Sequence, residues 1–410
     1  MQRPFFRLLS FLLVFSIPFT LLNSAMEVSN YRWRAFYELP KNSVDILFMG
    51  NSHSFVTFKP QIINDLLQTK SFVLGTGGEN IVLSYYELQE VLRYQKPTVV
   101  VLETFSLDIT ENATDDPYYY EFIDAGFWDT TKLAVANRYL TFDTMYTIFP
   151  ALRTRVSWQD ISKYWRELLV QMVDLISHPS ENQQRRGATP SWRVINEQDY
   201  LTILSQTPPE FPDSPDTNLV FLEMFYQLCE KNGIKLVLTT VPMLSAPIEN
   251  PRYAPFDATG FIEAHEIPYI IFDPVILNHL HFTNTDHVND FGATYISISI
   301  AKQLAEIMDI QIAPKELSQF QSLLFSDYAM AVDNNNLSLS LMPIDQSANL
   351  EYQWIIQNRK TGEIIYDGPW GNSNSFQYKF PTDDNTYEVL VSIKNPSEEY
   401  IITGQFFVGN

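Results

Sequence analysis

Five short apolar runs, each followed by a stretch with helical spacing, constrain this chain more than any other feature. The first is Val44-Asp45-Ile46-Leu47-Phe48-Met49-Gly50, a buried-strand pattern that stops at glycine. Residues 60–69 then read as a helix, Ser71-Phe72-Val73-Leu74 as a second strand, and residues 80–94 as a helix with Ile81, Tyr85, Leu88, Val91 and Leu92 on one face. The third strand is Thr98-Val99-Val100-Val101-Leu102. Lys235-Leu236-Val237-Leu238-Thr239-Thr240 and Pro268-Tyr269-Ile270-Ile271-Phe272 are the fourth and fifth, with helices near 217–231, 257–265 and 290–308. Asn232-Gly233 supplies a left-handed C-cap for the first of these. Strand and helix in alternation imply parallel pairing through right-handed crossovers. The expected fold is α/β with a flavodoxin-like parallel sheet.

The alternation breaks twice. Residues 109–215 carry no strong strand but many aromatics, among them Tyr118, Tyr119, Tyr120, Phe127, Trp128, Trp158, Trp165 and Trp192. They read as a helical, aromatic insertion over the sheet. Beyond about 315 the spacing changes to period two, in runs around 337–341, 351–356, 363–366, 376–380, 387–393 and 400–408. Turn residues such as Thr361-Gly362 and Asn395-Pro396 separate them, which predicts a small Ig-like β-sandwich. The resulting plan is a signal segment over 1–25, an α/β domain over 26–315 with the insertion inside it, a linker over 316–330 and the sandwich over 331–410.

Arg3 and Arg7 precede an uncharged run over residues 8–22, and Asn23-Ser24-Ala25 follows. That is a secretion signal. It acts either as a cleaved leader or as an uncleaved anchor with the rest of the chain outside, so the protein is expected to be extracytoplasmic, either facing outward from the membrane or secreted. The net charge of −21 repels polyanions and disfavours nucleic acid as a partner. The single cysteine, Cys229, excludes a disulfide framework and reads as a buried helix residue. No His, Asp or Glu cluster has metal-ligand spacing, so neither metal nor cofactor is expected.

Two segments carry the chemistry. Gly50-Asn51-Ser52-His53-Ser54 lies at the C-terminal end of the first strand, where open parallel sheets place their sites. A serine at that turn exposes its hydroxyl as a nucleophile, or it caps the next helix. Phe282-Thr283-Asn284-Thr285-Asp286-His287-Val288-Asn289-Asp290-Phe291-Gly292 opens the last helix and brings His287 to the same edge as a general base, with Asn289 or Asp290 as N-cap. His53 is a poorer base, because adjacent side chains diverge. His178, His265, His279 and His281 read as surface or core residues. Glu103, at the end of the third strand, is placed to line a pocket.

The Gly50-Asn51-Ser52-His53-Ser54 block resembles the first block of SGNH (GDSL-type) hydrolases. The His287 loop resembles their last block, Asp-x-x-His, and Gly75-Thr76-Gly77-Gly78 resembles the second. The nearest likeness is to membrane-anchored bacterial relatives of the teichoic-acid D-alanyl transfer protein and the alginate O-acetyltransferases. The resemblance covers about 40–310 without the insertion. It implies a three-layer SGNH-type sandwich, a Ser52–His287 mechanism, and an oxyanion hole from the Ser52 and Gly78 N–H groups. Two positions depart from the family. Its third-block Asn falls on Leu107, and the Asp three residues before the histidine is Asn284, with Asp286 beside His287 as the other support.

The resemblance implies a serine esterase or acyltransferase acting on acyl esters of extracellular glycans, in company with a membrane-bound acyl donor if it transfers. The residues leave hydrolysis and transfer equally open. The opposing reading is a non-catalytic SGNH scaffold that binds or assembles in the envelope, through its sandwich if that is the functional module.

Overall fold

The five apolar runs form five parallel strands in the computed structural model, which describes residues 31–109, 119–125, 128–153, 186–205, 216–244, 259–272, 277–381, 385–396 and 400–408, with Val14 and Ser16. The strands are β1 (Ile46–Met49), β2 (Ser71–Val73), β3 (Val99–Glu103), β4 (Lys235–Thr240) and β5 (Tyr269–Ile271). Their order is β2-β1-β3-β4-β5, and every neighbouring pair is parallel. The chain runs outward to one side after β1 and to the other after β3. That reversal opens a crevice at the C-terminal ends of β1 and β3, where ligands of such sheets bind.

Both faces are covered, so strand residues alternate between two apolar layers. Helices α1 (Tyr31–Tyr37), α4 (Ile81–Val91) and α5 (Asp216–Lys231) cover one face. There Phe36, Leu88 and Phe225 pack with Leu47, Val100 and Leu102. Helices α3 (Pro60–Leu67) and α7 (Asp290–Met308) cover the other, where Ile62, Leu66, Ile296 and Ile300 meet Ile46, Phe48, Val99 and Val101. Helix α2 (Ser52–Thr57) follows β1 directly, and α6 (Thr259–His265) packs beside α5, with Phe261 against Tyr226. The described part of the insertion holds the helices Tyr119–Asp124, Thr130–Tyr139, Pro150–Arg153 and Glu197–Leu204, with a non-helical stretch over 186–196. Trp128 and Trp192 are exposed, while Tyr118, Phe127, Trp158 and Trp165 lie outside the described residues, as does His178.

The C-terminal region forms two antiparallel sheets. One has the order β10 (Ser375–Lys379), β7 (Asn336–Pro343), β6 (Phe325–Asp333). The other has the order β12 (Ile401–Val408), β11 (Tyr387–Lys394), β8 (Glu351–Asn358), β9 (Ile364–Asp367). The period-two signal is genuine burial: Tyr352, Trp354 and Ile356 of β8 are buried with Leu337, Leu339 and Leu341 of β7.

The stretch 316–330 is not a linker. It holds most of a helix, α8 (Pro314–Ser322), and the start of β6. Buried Phe320, Leu323 and Phe325 tie it down among polar neighbours that mask the signal in sequence. One apolar cluster runs without a break from Ile46 and Phe48 through Phe291 and Ile296 to Leu339, Val389 and Phe406. The sandwich is therefore packed on the α7 face of the α/β layer rather than held apart from it.

Among the described residues no helix is long and apolar enough to cross a membrane. The run over 8–22 lies outside them, apart from the helical Val14 and Ser16.

Candidate active site

The segment that carries Ser52 is set by the backbone. Gly50 ends β1 with φ +130°, and a Cβ there would meet Glu103 Cβ at 3.0 Å, so the strand leaves the sheet where only glycine is comfortable. Asn51 then caps α2: its Oδ1 accepts from the His53 N–H at 2.9 Å. Capping is thus the work of Asn51, not of Ser52. Ser52 becomes the first helical residue, half-buried, at the mouth of the crevice.

The second segment arrives from 235 residues away. His287 Nε2 lies 2.7 Å from Ser52 Oγ. Behind the ring, Asn284 Oδ1 stands 3.3 Å from His287 Nδ1. The same oxygen accepts the N–H of Asp286 at 2.9 Å and of His287 at 2.8 Å. Those two backbone donors fix which way the amide faces, because a flipped NH₂ would oppose both. The acceptor behind Nδ1 therefore places the ring proton on Nδ1 and leaves Nε2 free to receive the serine proton. Asp286 makes no hydrogen bond to His287; it acts through space. Partial burial holds the His287 pKa below its ordinary value, and the Asp286 charge opposes that shift. Burial thus favours the neutral form of the imidazole.

His53 and Phe105 form a wall that sequence reading did not anticipate. His53 is buried; its ring meets His287 edge to face at 4.9 Å and lies 4.3 Å from Phe105. Burial, reinforced by His287, pushes the His53 pKa down to about 3. His53 is thus a neutral prop for the base. Phe105 gave no signal alone, since a lone aromatic after a strand is ordinary core.

The glycine-rich turn packs directly against the nucleophile's strand. A Cβ on Gly75 would fall 1.9 Å from the Gly50 carbonyl oxygen, and Gly78 follows in the same turn with φ +64°. Arg32 Nε donates to the Gly75 carbonyl at 2.6 Å. From below, Glu79 accepts the Thr76 N–H at 2.6 Å and also bonds Ser84 Oγ. Thr76 Oγ1 donates to Glu87 at 3.2 Å. Both carboxyls are fully buried. Burial raises both pKa values, and the neighbouring Glu87 charge raises Glu79 further.

Two expected residues play other parts. Leu107, at the place of the family's Asn, is fully buried and offers no donor. Glu103 is also fully buried and so lines no open pocket. It accepts the N–H of Phe105 at 3.1 Å and of Val241 at 3.4 Å, and burial pushes its pKa up to about 8. His281 is buried against the sandwich, with Nε2 3.1 Å from the Phe325 carbonyl. His265 pairs with Glu223 and His279 with Asp327. Cys229 is buried, and its thiol is pushed up to about 12, which makes it unreactive. Among the described residues no three His, Cys, Asp or Glu side chains gather as metal ligands would.

No protein-family model matches the chain, and neither does any curated protein. Among solved structures, domains d3-d4 of the rat CD45 extracellular region overlay with TM-score 0.17 at 13% identity, covering 20% of this chain and 48% of that one. A DUF3244 family protein from Bacteroides vulgatus, with an immunoglobulin-like β-sandwich fold, overlays with TM-score 0.15 at 18% identity, covering 20% and 83%. An engineered protein overlays with TM-score 0.18 at 10% identity, covering 95% and 97%.

Proposed function

We propose that this chain is an extracytoplasmic serine esterase or O-acyltransferase of the SGNH type, acting on acyl esters of cell-envelope or secreted glycans. The observation that carries the reading is the 2.7 Å contact between Ser52 Oγ and His287 Nε2, at the C-terminal edge of a parallel sheet and with an acceptor behind the imidazole. Ser52 Oγ attacks the acyl carbonyl carbon, and its proton passes to Nε2. The carbonyl electron pair moves onto the oxygen, which the Ser52 and Gly78 N–H groups hold. Collapse expels the alcohol, which takes the proton from His287 and leaves an acyl-serine. Water, or a second sugar hydroxyl, gives its proton to His287 and attacks the acyl carbon; the bond to Ser52 Oγ breaks, and Ser52 leaves with that proton, as hydrolysis or as transfer. A retained N-terminal segment would hold the enzyme on the outer face of the membrane beside a membrane-bound acyl donor. A cleaved one would release it.

The full chain should hydrolyse a short-chain aryl ester, and Ser52→Ala should reduce kcat/KM by about 10³ or more. Equal rates remove Ser52 from the mechanism. Buried Leu107 and neutral Asn284 favour a second reading, an inactive SGNH scaffold used for binding or assembly. Glycan binding retained without any Ser52-dependent turnover would select it.

A further inference from the structure

The histidine-bearing loop is a narrow hairpin. Phe282 pairs with Val288 across it, the Thr283 N–H donates to the His287 carbonyl at 2.9 Å, and the Asn289 N–H donates to the His281 carbonyl at 2.9 Å. Its side-chain support is thin, since Asn284 is exposed and its contact with Nδ1 is long. The backbone support comes from elsewhere. Residues 191–195, at the end of the insertion, run beside the hairpin. Ser191 accepts the Asp290 N–H at 2.7 Å, and the Ile195 N–H donates to Phe282 at 2.9 Å. Ser191 Oγ and Thr283 Oγ1 lie 2.9 Å apart.

The other side of that strap is fastened to the sandwich. β12 is an edge strand, and alternate N–H groups on its free edge face away from β11. The Gln405 N–H donates to the Trp192 carbonyl at 2.7 Å, and the Gln405 carbonyl accepts the Val194 N–H at 2.8 Å, so the strap adds to β12 in parallel at Arg193. Two residues earlier, the Thr403 N–H donates to Asp290 Oδ2 at 2.8 Å. Asp290 also pairs with buried Lys59, which follows the helix that starts at Ser52. The free edge of β12 therefore reaches both catalytic segments.

Resting on the Ser52–His287 reading, we propose that the sandwich is the positioning brace of the general base: the free edge of β12, through residues 191–195, holds His287 at hydrogen-bonding distance from Ser52. Gln405 is the positioning residue, and it acts through its backbone. An edge strand tolerates proline where its N–H faces outward, so Gln405→Pro removes the strap bond and leaves the β11 ladder. Gln405→Ala keeps that N–H and removes only the side chain, which bonds Glu388.

The test uses the full chain and the labelling rate of Ser52 with a fluorophosphonate, measured against pH well below the melting temperature. Native near-ultraviolet circular dichroism is required of every variant. Gln405→Ala should label within about twofold of the parent. Gln405→Pro should label 10- to 100-fold more slowly, the scale on which displacement of a reacting group by about 1 Å acts. Its acid limb should move toward the ordinary histidine range as the loosened ring gains water. Val194→Pro cuts the same pairing from the strap side and should reproduce the loss, which covers a failure of Gln405→Pro to fold. Parent-like rate and pH profile in a folded proline variant would overturn the brace. A parent chain with no Ser52-dependent labelling would instead overturn the reading beneath it.

Discussion

Ser52 and His287 meet at one point but are held in different ways. Ser52 belongs to the parallel sheet: β1 is wholly buried, and Gly50, Gly75 and Glu103 interlock immediately behind it. His287 belongs to a surface hairpin whose hydrogen bonds lead to the strap over 191–195 and, through it, to a sandwich sheet more than a hundred residues later. Ser52 is held mainly by early, local structure, with one late tie through Lys59 to Asp290, and His287 mainly by late, long-range structure. Perturbations of the C-terminal region should therefore fall chiefly on His287.

Deleting residues 324–410 gives the largest expected effect. It removes the acceptor for His281, the partner of the strap and more than a third of a continuous apolar cluster, so the truncated chain should aggregate with its cooperative thermal transition lost. A soluble truncation with parent-like turnover would show that the two halves are independent.

Asn284→Asp comes next. In serine proteases the reverse change costs about 10⁴. Here the two backbone donors already orient Asn284 Oδ1, so the carboxylate adds only charge. Turnover should rise about tenfold, and the acid limb should move up, because a nearby anion favours imidazolium. Asp286→Ala, which removes a charge acting through space, should lower activity only modestly and move that limb down. Inactivity equal to that of Ser52→Ala would make Asp286 the third catalytic member.

Stability should divide between the same two regions. Buried carboxyls stand on the serine side: burial pushes Glu103 up to about 8 and Glu87 up to about 7. These acids ionise only near those higher values in the fold but near 4.5 when unfolded. Their contribution is complete below 4.5 and is lost as pH rises through 7 to 8. On the histidine side, burial lowers His281 to about 4. Its contribution is present above 6.5 and lost as pH falls toward 4. The melting temperature should therefore drop on the alkaline side above about 6.5, and Glu103→Gln should flatten that limb. An alkaline limb that stays level would contradict the account of the carboxyls.

The serine side was the more legible in sequence. Each strand of the sheet is a contiguous apolar run, and Gly50-Asn51-Ser52 sits at the end of one. Position and chemistry were readable together there. His287 was legible as a residue type on a helix-opening loop, but its supports were not. Nothing in Trp192, Val194 or Gln405 marks them as partners, because their pairing uses backbone groups that every residue carries. The choice between Asn284 and Asp286 likewise turned on two backbone donors. The polar stretch 316–330 reads as a linker because the buried residues that fix it, Phe320, Leu323 and Phe325, stand among charged and amide neighbours.

The central claim is that His287 activates Ser52. It is tested most directly by exposing the full chain to a fluorophosphonate and locating the adduct by mass spectrometry. A single adduct is expected on the peptide containing Ser52, absent in Ser52→Ala and formed at least about 10²-fold more slowly in His287→Ala. An adduct on another residue, or equal labelling of parent and His287→Ala, would contradict it.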